Sequence, residues 1–321
     1  MSAAPLEAAR PPSLTVLMTV RNGMPYLRDA LRSLLEQSLK GFTLLIIDSA
    51  STDGTRPYLD AMAETFAGEK GGPPGAPELS IVHLDTNVGR TGALIHGLSL
   101  IKTQVTAIMD ADNIAAPKRL ERQYDFLLQN PEISLVGSDI TYIDSNGNNI
   151  RQRRFPTRHK DLLAGLALGN QFTHSACAFR TEAALRAGGY PASFAQARDS
   201  ALWIAMLARG DKAASIPEPL VMVRLHAGSA ANNLAMLVVR TKESFRLAQA
   251  LQRVPGLGRS ARQAALMRAS WALMRLGRKR LGFKQLWKAI RTAPLRAPFN
   301  PLLWRGLFGA WLLRRRWWTE N

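Results

Sequence analysis

Two periods of apolar residues alternate along the first third of the chain. Leu14-Thr15-Val16-Leu17-Met18-Thr19-Val20, Phe42 to Ile47, Leu79 to Leu84 and Val105 to Met109 are short apolar runs between polar loops. Runs of this kind predict strands covered on both faces. Between the first two, Leu27, Ala30, Leu31, Leu34 and Leu35 repeat at the spacing of an amphipathic helix. Helices are also predicted from about Arg56 to Phe66 and from Gly89 through Leu100. Strand and helix in turn predict a doubly wound, mostly parallel α/β sheet with flanking helices. A Gly/Pro-rich stretch from Gly68 to Pro77 reads as a surface insertion.

Beyond residue 113 the pattern is less regular. Helices are predicted over Pro117 to Leu128, His159 to Ala167, Glu182 to Arg186 and Ser200 to Leu207. Strands are predicted within Ser134 to Ile143 and over Thr173 to Arg180. Ser215 to Leu225 reads as an edge strand because Pro217 and Pro219 cannot donate to a ladder. From Leu234 onward the pattern is helical and basic. No internal repeat is present.

The polar loops that close the predicted strands carry the candidate chemistry. Thr106-Ala107-Ile108-Met109-Asp110-Ala111-Asp112-Asn113 is an apolar run delivering two carboxylates one residue apart. Side chains at i and i+2 of an extended segment share a face, so Asp110 and Asp112 suit one hard divalent cation, Mg²⁺ or Mn²⁺. Asp48, with Ser51-Thr52-Asp53-Gly54 behind it, closes the second strand, where an acid can accept from a base or ribose. Asn87-Val88-Gly89-Arg90-Thr91-Gly92-Ala93 places a cation and a glycine turn at a helix N-terminus, which suits an anion. Neither Gly-x-Gly-x-x-Gly nor Gly-x-x-x-x-Gly-Lys-[Ser/Thr] occurs, so neither dinucleotide redox nor P-loop chemistry is supported.

These segments, in this order and spacing, resemble the family-2 glycosyltransferases of GT-A fold from about Leu14 to Ser229. The resemblance rests on Val16 to Gly23, Leu44 to Thr55, Asn87-Val88-Gly89 and Met109 to Asn113 with Pro117-Lys118-Arg119-Leu120. It continues through Arg198-Asp199 with Leu202-Trp203, and Pro217-Glu218-Pro219-Leu220 through Arg224-Leu225-His226. It implies that Asp48, Val20 and Arg21 line a nucleotide pocket, with Gly89, Arg90 and Asp110 beside it. It implies that Asp112, Asp110 and His226 approach the metal or diphosphate. Asp199 corresponds to the family's general base, and the implied reaction is inverting transfer from a nucleotide sugar, UDP-linked, to a glycan or lipid-linked acceptor in surface polysaccharide biosynthesis. Arg198, His174 and Trp203 are the candidate acceptor residues. The chain departs from the family at Arg198, where Glu is frequent, and at Ala201, Ser49 and Ile95. A catalytically silent nucleotide-sugar-binding protein is therefore the alternative reading.

Charge divides the chain in a way the hydrophobic pattern does not. Residues 244–321 hold 17 Lys and Arg against one acid, so they carry most of the net charge of +18. Six of the seven tryptophans also lie there, interleaved with basic residues. Such a composition predicts an interfacial helical segment on an anionic membrane surface. Nucleic acid ranks below it as a partner, because no nucleic-acid module accompanies the basic run. Pro301 to Leu313 is too short to span a bilayer. The domains predicted are a disordered 1–12, a GT-A domain over 13–232 (nucleotide-binding half 13–113, acceptor half 114–232) and a membrane-associating extension over 233–321. A single cysteine, Cys177, and the absence of an apolar leader before Pro12 predict a cytoplasmic protein attached peripherally to the inner face of the cell membrane.

Overall fold

A computed structural model describes residues 13–67, 75–226 and 237–292. The predicted 1–12 segment and the tryptophans from Trp304 onward lie outside the described residues, as does most of the Gly68–Pro77 stretch. The strands are β1 (Leu14–Val20), β2 (Thr43–Ser49), β3 (Glu78–Leu84), β4 (Val105–Asp110), β5 (Ile114–Ala115), β6 (Ile133–Ile143), β7 (Asn149–Arg153), β8 (Ala178–Arg180) and β9 (Lys212–Arg224). The helices are α1 (Leu27–Leu35), α2 (Thr55–Ala67), α3 (Gly89–Leu100), α4 (Arg119–Gln129), α5 (His159–Leu166), α6 (Thr181–Arg186), α7 (Arg198–Ala208), α8 (Leu237–Leu251), α9 (Arg259–Arg275) and α10 (Lys279–Thr292).

One sheet runs in the order β3-β2-β1-β4-β8-β6-β9-β5, with β7 paired to β6. β3, β2, β1 and β4 are parallel throughout, as the alternation predicts, and β8 enters antiparallel between β4 and β6. Strand alternation divides the core in two. Val16, Met18, Leu44 and Ile46 face α1 and α4, and Leu17, Leu45 and Ile47 face α3, α5 and α7. Packing between α3 and the sheet is close: a Cβ on Gly97 would stand 2.4 Å from Leu17 Cδ1.

Two expectations of secondary structure are corrected. β9 is not an edge strand; it lies between β6 and β5. Its register against β6 jumps from Ser138↔Ile216 to Asp139↔Pro219, so Pro217 and Glu218 bulge out and the missing N–H is accommodated. The strand predicted over Thr173 to Arg180 is instead a 3-10 turn (His174–Ala176) followed by β8, because the Ala176 N–H closes back on the Thr173 carbonyl. The described part of the basic extension packs on the domain. Leu247 and Leu251 of α8 and Ala261, Ala264 and Ala265 of α9 join the same core as Trp203 and Phe179. These α8 and α9 residues form a helical layer on the domain, while Trp271 and Trp287 of the predicted stripe remain exposed.

Candidate active site

The chain leaves β1 for β2 and β3 on one side, then returns to β4 on the other. The sheet therefore reverses direction between β1 and β4, which pair with Thr19 opposite Asp110. Loops leaving the carboxyl ends of two diverging strands part there and open a cleft. A cavity of about 590 Å³ fills it, walled by Thr19 to Met24 and Tyr26 after β1, by Ser49, Asn87, Gly89 and Arg90, and by Asp110, Ala111, Asp112 and His226. The wall is held by two non-glycine residues in the left-handed region, Asn22 (φ 53°) and Ala50 (φ 54°). Asn22 is tied down by its N–H to Ser51 Oγ (2.9 Å) and by Thr52 N–H to its Oδ1 (2.8 Å).

Val20, Arg21, Gly89, Arg90, Asp110, Asp112 and His226 thus come together as the sequence predicts. Asp48 differs. It is fully buried behind the wall, accepting from Ser51 N–H (3.1 Å) and contacting His83 Nδ1 (3.0 Å), while its neighbour Ser49 lines the cavity.

The two carboxylates of the Asp-x-Asp pair have separate partners. Asp110 is ion-paired to Arg90 and lies 3.6 Å from His174 Nδ1. Burial is the largest influence and works to raise its pKa, but the charges and hydrogen bonds of Arg90 and His174 together outweigh it and hold the carboxyl far below the usual range. Asp112 accepts from, or is approached by, His226 Nε2 at 3.2 Å. Burial and the Asp110 charge push its pKa up, so additional positive charge at this position would be favourable. Asp112 and His226 are oxygen and nitrogen donors that suit Mn²⁺ or Mg²⁺ with positions left for a ligand's oxygens. No cluster of three or more such side chains occurs among the described residues.

Buried neighbours set the position of this segment. Arg224 donates from Nε to the Asp112 carbonyl (3.1 Å) and from its N–H to Asn113 Oδ1 (3.0 Å), and its guanidinium lies over the Tyr26 ring. Tyr26 in turn packs on His226, with centroids 4.9 Å apart. Arg119, fully buried, donates to the Ile108 carbonyl at 2.6 Å, and burial lowers its pKa to about 10.

A second cavity, of about 700 Å³, adjoins the first and shares Arg90 and Asp110 with it. It is lined by Asn170, His174, Arg198 and Asp199 from the domain and by Ser244, Arg268 and Trp271 from α8 and α9. Asp199 accepts from Asn170 Nδ2 at 3.0 Å. Arg198, its sequence neighbour, donates instead to the Ala195 carbonyl. His174 stands in the wall, held by Tyr190 Oη at 2.9 Å. Trp203 is corrected: it is 0% exposed, packed on Phe172 and Phe179, and supports the site from the core. Glu243 of α8 is buried and accepts from the N–H groups of Ala195 (2.6 Å), Gln196 (3.1 Å) and Ala197 (2.8 Å), which lead into α7 and Asp199.

Sequence reading missed Tyr26, Asn170, Arg224, Glu243 and Arg268. Arg224 was within reach, two residues before His226, and Glu243 is the last acid before the long basic run. Nothing local marks Asn170 or Arg268.

The fold and the cleft at the β1/β4 reversal define a GT-A glycosyltransferase. The family model described as "Glycosyl transferase family 2" matches residues 15–189, and the chain belongs to that family. It is 33% identical over 151 residues to the amylovoran biosynthesis glycosyltransferase AmsE of Erwinia amylovora, covering 47% of this chain and 55% of that protein. It is 25% identical over 217 residues to the UDP-Gal:alpha-D-GlcNAc-diphosphoundecaprenol beta-1,3-galactosyltransferase of Escherichia coli, covering 66% and 74%. Among solved structures, S. aureus TarS 1–349 in complex with UDP-GlcNAc superposes with TM-score 0.64 at 14% identity, covering 91% of this chain and 86% of that one. The mannosyltransferase PcManGT from Pyrobaculum calidifontis, with GDP-Man and Mn²⁺, gives 0.58 at 20% identity over 97% and 84%.

Proposed function

We propose that this glycosyltransferase moves a sugar from a nucleotide sugar, UDP-linked, to a glycan or lipid-linked acceptor in surface polysaccharide assembly. The observation that carries the reading is the pair of adjoining cavities, with Asp112 and His226 in one and Asp199 in the other. The first would take the nucleoside diphosphate, with Arg21 and Arg90 facing its charge and Asp112 and His226 holding Mn²⁺ or Mg²⁺. That cation would supply electrostatic stabilisation of the leaving diphosphate. Asp48 would act on the base side through the wall it braces. The second cavity would hold the acceptor, with Asp199, oriented by Asn170, removing the proton of the attacking hydroxyl. One base and one displacement correspond to inversion at the anomeric carbon.

The names of the Erwinia and Escherichia relatives support the polysaccharide and UDP-sugar assignment. No helix among the described residues is long and apolar enough to cross a membrane. In α10, Leu281, Phe283 and Trp287 are exposed among Lys284, Lys288 and Arg291, which supports peripheral attachment to an anionic membrane surface.

A thermal-shift screen of UDP, GDP and their sugars with Mn²⁺ or Mg²⁺ tests the donor assignment. Bound ligand at about 100 times Kd adds about 2.7 kcal/mol of stability. Stabilisation by one nucleotide class, with transfer lost in EDTA and restored by Mn²⁺, is expected. Failure to bind or hydrolyse any nucleotide sugar with either metal refutes the proposal.

A further inference from the structure

The second cavity carries more positive charge than sugar transfer itself explains. Arg90 is neutralised by Asp110, yet Arg198, Arg268 and Arg275 remain against the single carboxylate of Asp199. Arg268, half-buried on α9, donates from Nε to Ser244 Oγ (2.9 Å) and from one Nη to the Leu166 carbonyl (3.4 Å), both neutral partners. Burial pushes its pKa down and no acidic side chain offsets this. Arg198 is 8% exposed and is bound to a backbone carbonyl. Its pKa is lowered by burial and by Arg90, against a partial counter-effect from Asp199 and Asp110. Arg275 lies over the Trp271 ring, 4.7 Å from its centroid, and Trp271 is itself 37% exposed.

A partly desolvated guanidinium with only neutral partners is costly, and an oxyanion in its fork relieves that cost. Arginine matches phosphate oxygens in geometry as well as charge. The imbalance of two charges favours a group bearing at least two negative charges over a single carboxylate. The exposed Trp271 supplies an apolar wall next to it.

We propose that this cavity is an anion subsite for a phosphate or diphosphate group on the acceptor, gripped by Arg268 and Arg198 with Arg275 at its rim. The assignment to the acceptor rests on Asp199 being the base of the transfer reaction. It gives the departure at Arg198 a role: the cation that replaces the frequent acid holds substrate. It also explains why α8 and α9 are built into the domain, since they supply half of the subsite.

The test uses the full chain in metal-free buffer, titrated calorimetrically with inorganic pyrophosphate and, separately, with farnesyl diphosphate. Wild-type protein binds both, and Arg268→Met weakens pyrophosphate by about tenfold to a hundredfold, the loss of a charge-assisted hydrogen bond. Arg268→Lys falls between, because it keeps the charge without the fork. Arg275→Gln, at an exposed position that leaves the core untouched, weakens binding by about threefold and serves if Arg268→Met fails to fold. Tighter binding of farnesyl diphosphate than of pyrophosphate points to a lipid-linked acceptor, and equal binding to a soluble phosphorylated one; both support the subsite when Arg268 is required. Unchanged pyrophosphate affinity in both Arg268→Met and Arg275→Gln overturns it. UDP titrated with Mn²⁺ reports on the donor cavity separately, so a wild-type protein that ignores UDP refutes the donor reading instead.

Discussion

Glu243 ties α8 to the segment that leads into α7 and Asp199, the proposed base. Its carboxylate receives three consecutive backbone N–H groups, from Ala195, Gln196 and Ala197, immediately before α7 begins at Arg198. These amides lead into the helix, so the carboxylate that receives them also lies at the positive end of the helix dipole. Glu243→Ala leaves three amides without an acceptor in a site where Glu243 is only 3% exposed. Each unsatisfied group costs about 1–3 kcal/mol, and water entering the vacated space recovers part of it, so about 2–4 kcal/mol is expected. That corresponds to a Tm lower by roughly 3–6 °C for a chain of this size. Glu243→Gln keeps one carbonyl acceptor and loses the charge, for about 1–2 kcal/mol. The informative readout is kinetic. A loosened α7 start displaces Asp199, and misplacement of about 1 Å costs up to a hundredfold. Transfer kcat for Glu243→Gln should fall at least about tenfold while the donor KM holds. Wild-type Tm and kcat in Glu243→Gln would refute the positioning role.

Asp199→Asn should lower transfer by about 10²–10⁴-fold at unchanged nucleotide binding; an unaltered rate would favour the catalytically silent reading. Trp203→Ala removes a fully buried indole and should cost about 3–5 kcal/mol, seen as a lower Tm without selective loss of acceptor affinity. Truncation after Thr292 keeps α8 to α10 and should fold, yet sediment less with anionic liposomes; equal sedimentation would remove residues 293–321 from the membrane contact. For Asp53, burial acts to raise its pKa, but hydrogen bonds from Thr55 and Met24 outweigh it and lower the value. A carboxyl depressed in the folded state contributes stability above its unfolded pKa and loses it as pH falls through the folded value. Asp53→Asn should therefore flatten acid unfolding below about pH 4 in a pH-dependent melting series.

Local pattern was sufficient where the chemistry is local. Continuous apolar runs need cover on both faces, so β1 to β4 and their helices were legible from residues 14–110 alone. The carboxyl-end loops follow from that topology, and Asp110, Asp112, Arg90 and Arg21 gather in one cleft as a consequence. Tertiary structure decided what depends on distant partners. Pairing with β6 and β5 turned a proline-bearing segment from an edge into an interior strand with a bulge. A salt bridge drew Asp110 toward Arg90, leaving Asp112 with His226, a separation that two acids at i and i+2 do not reveal. The same holds for the basic C-terminal residues. Their composition favours a membrane surface and gives no sign that part of the segment packs on the domain. Only the docking of α8 and α9 onto the core beside Trp203 places Glu243 and Arg268 next to the second cavity, because hydrophobic burial selects its partners by shape across the whole fold and charge follows where it is carried.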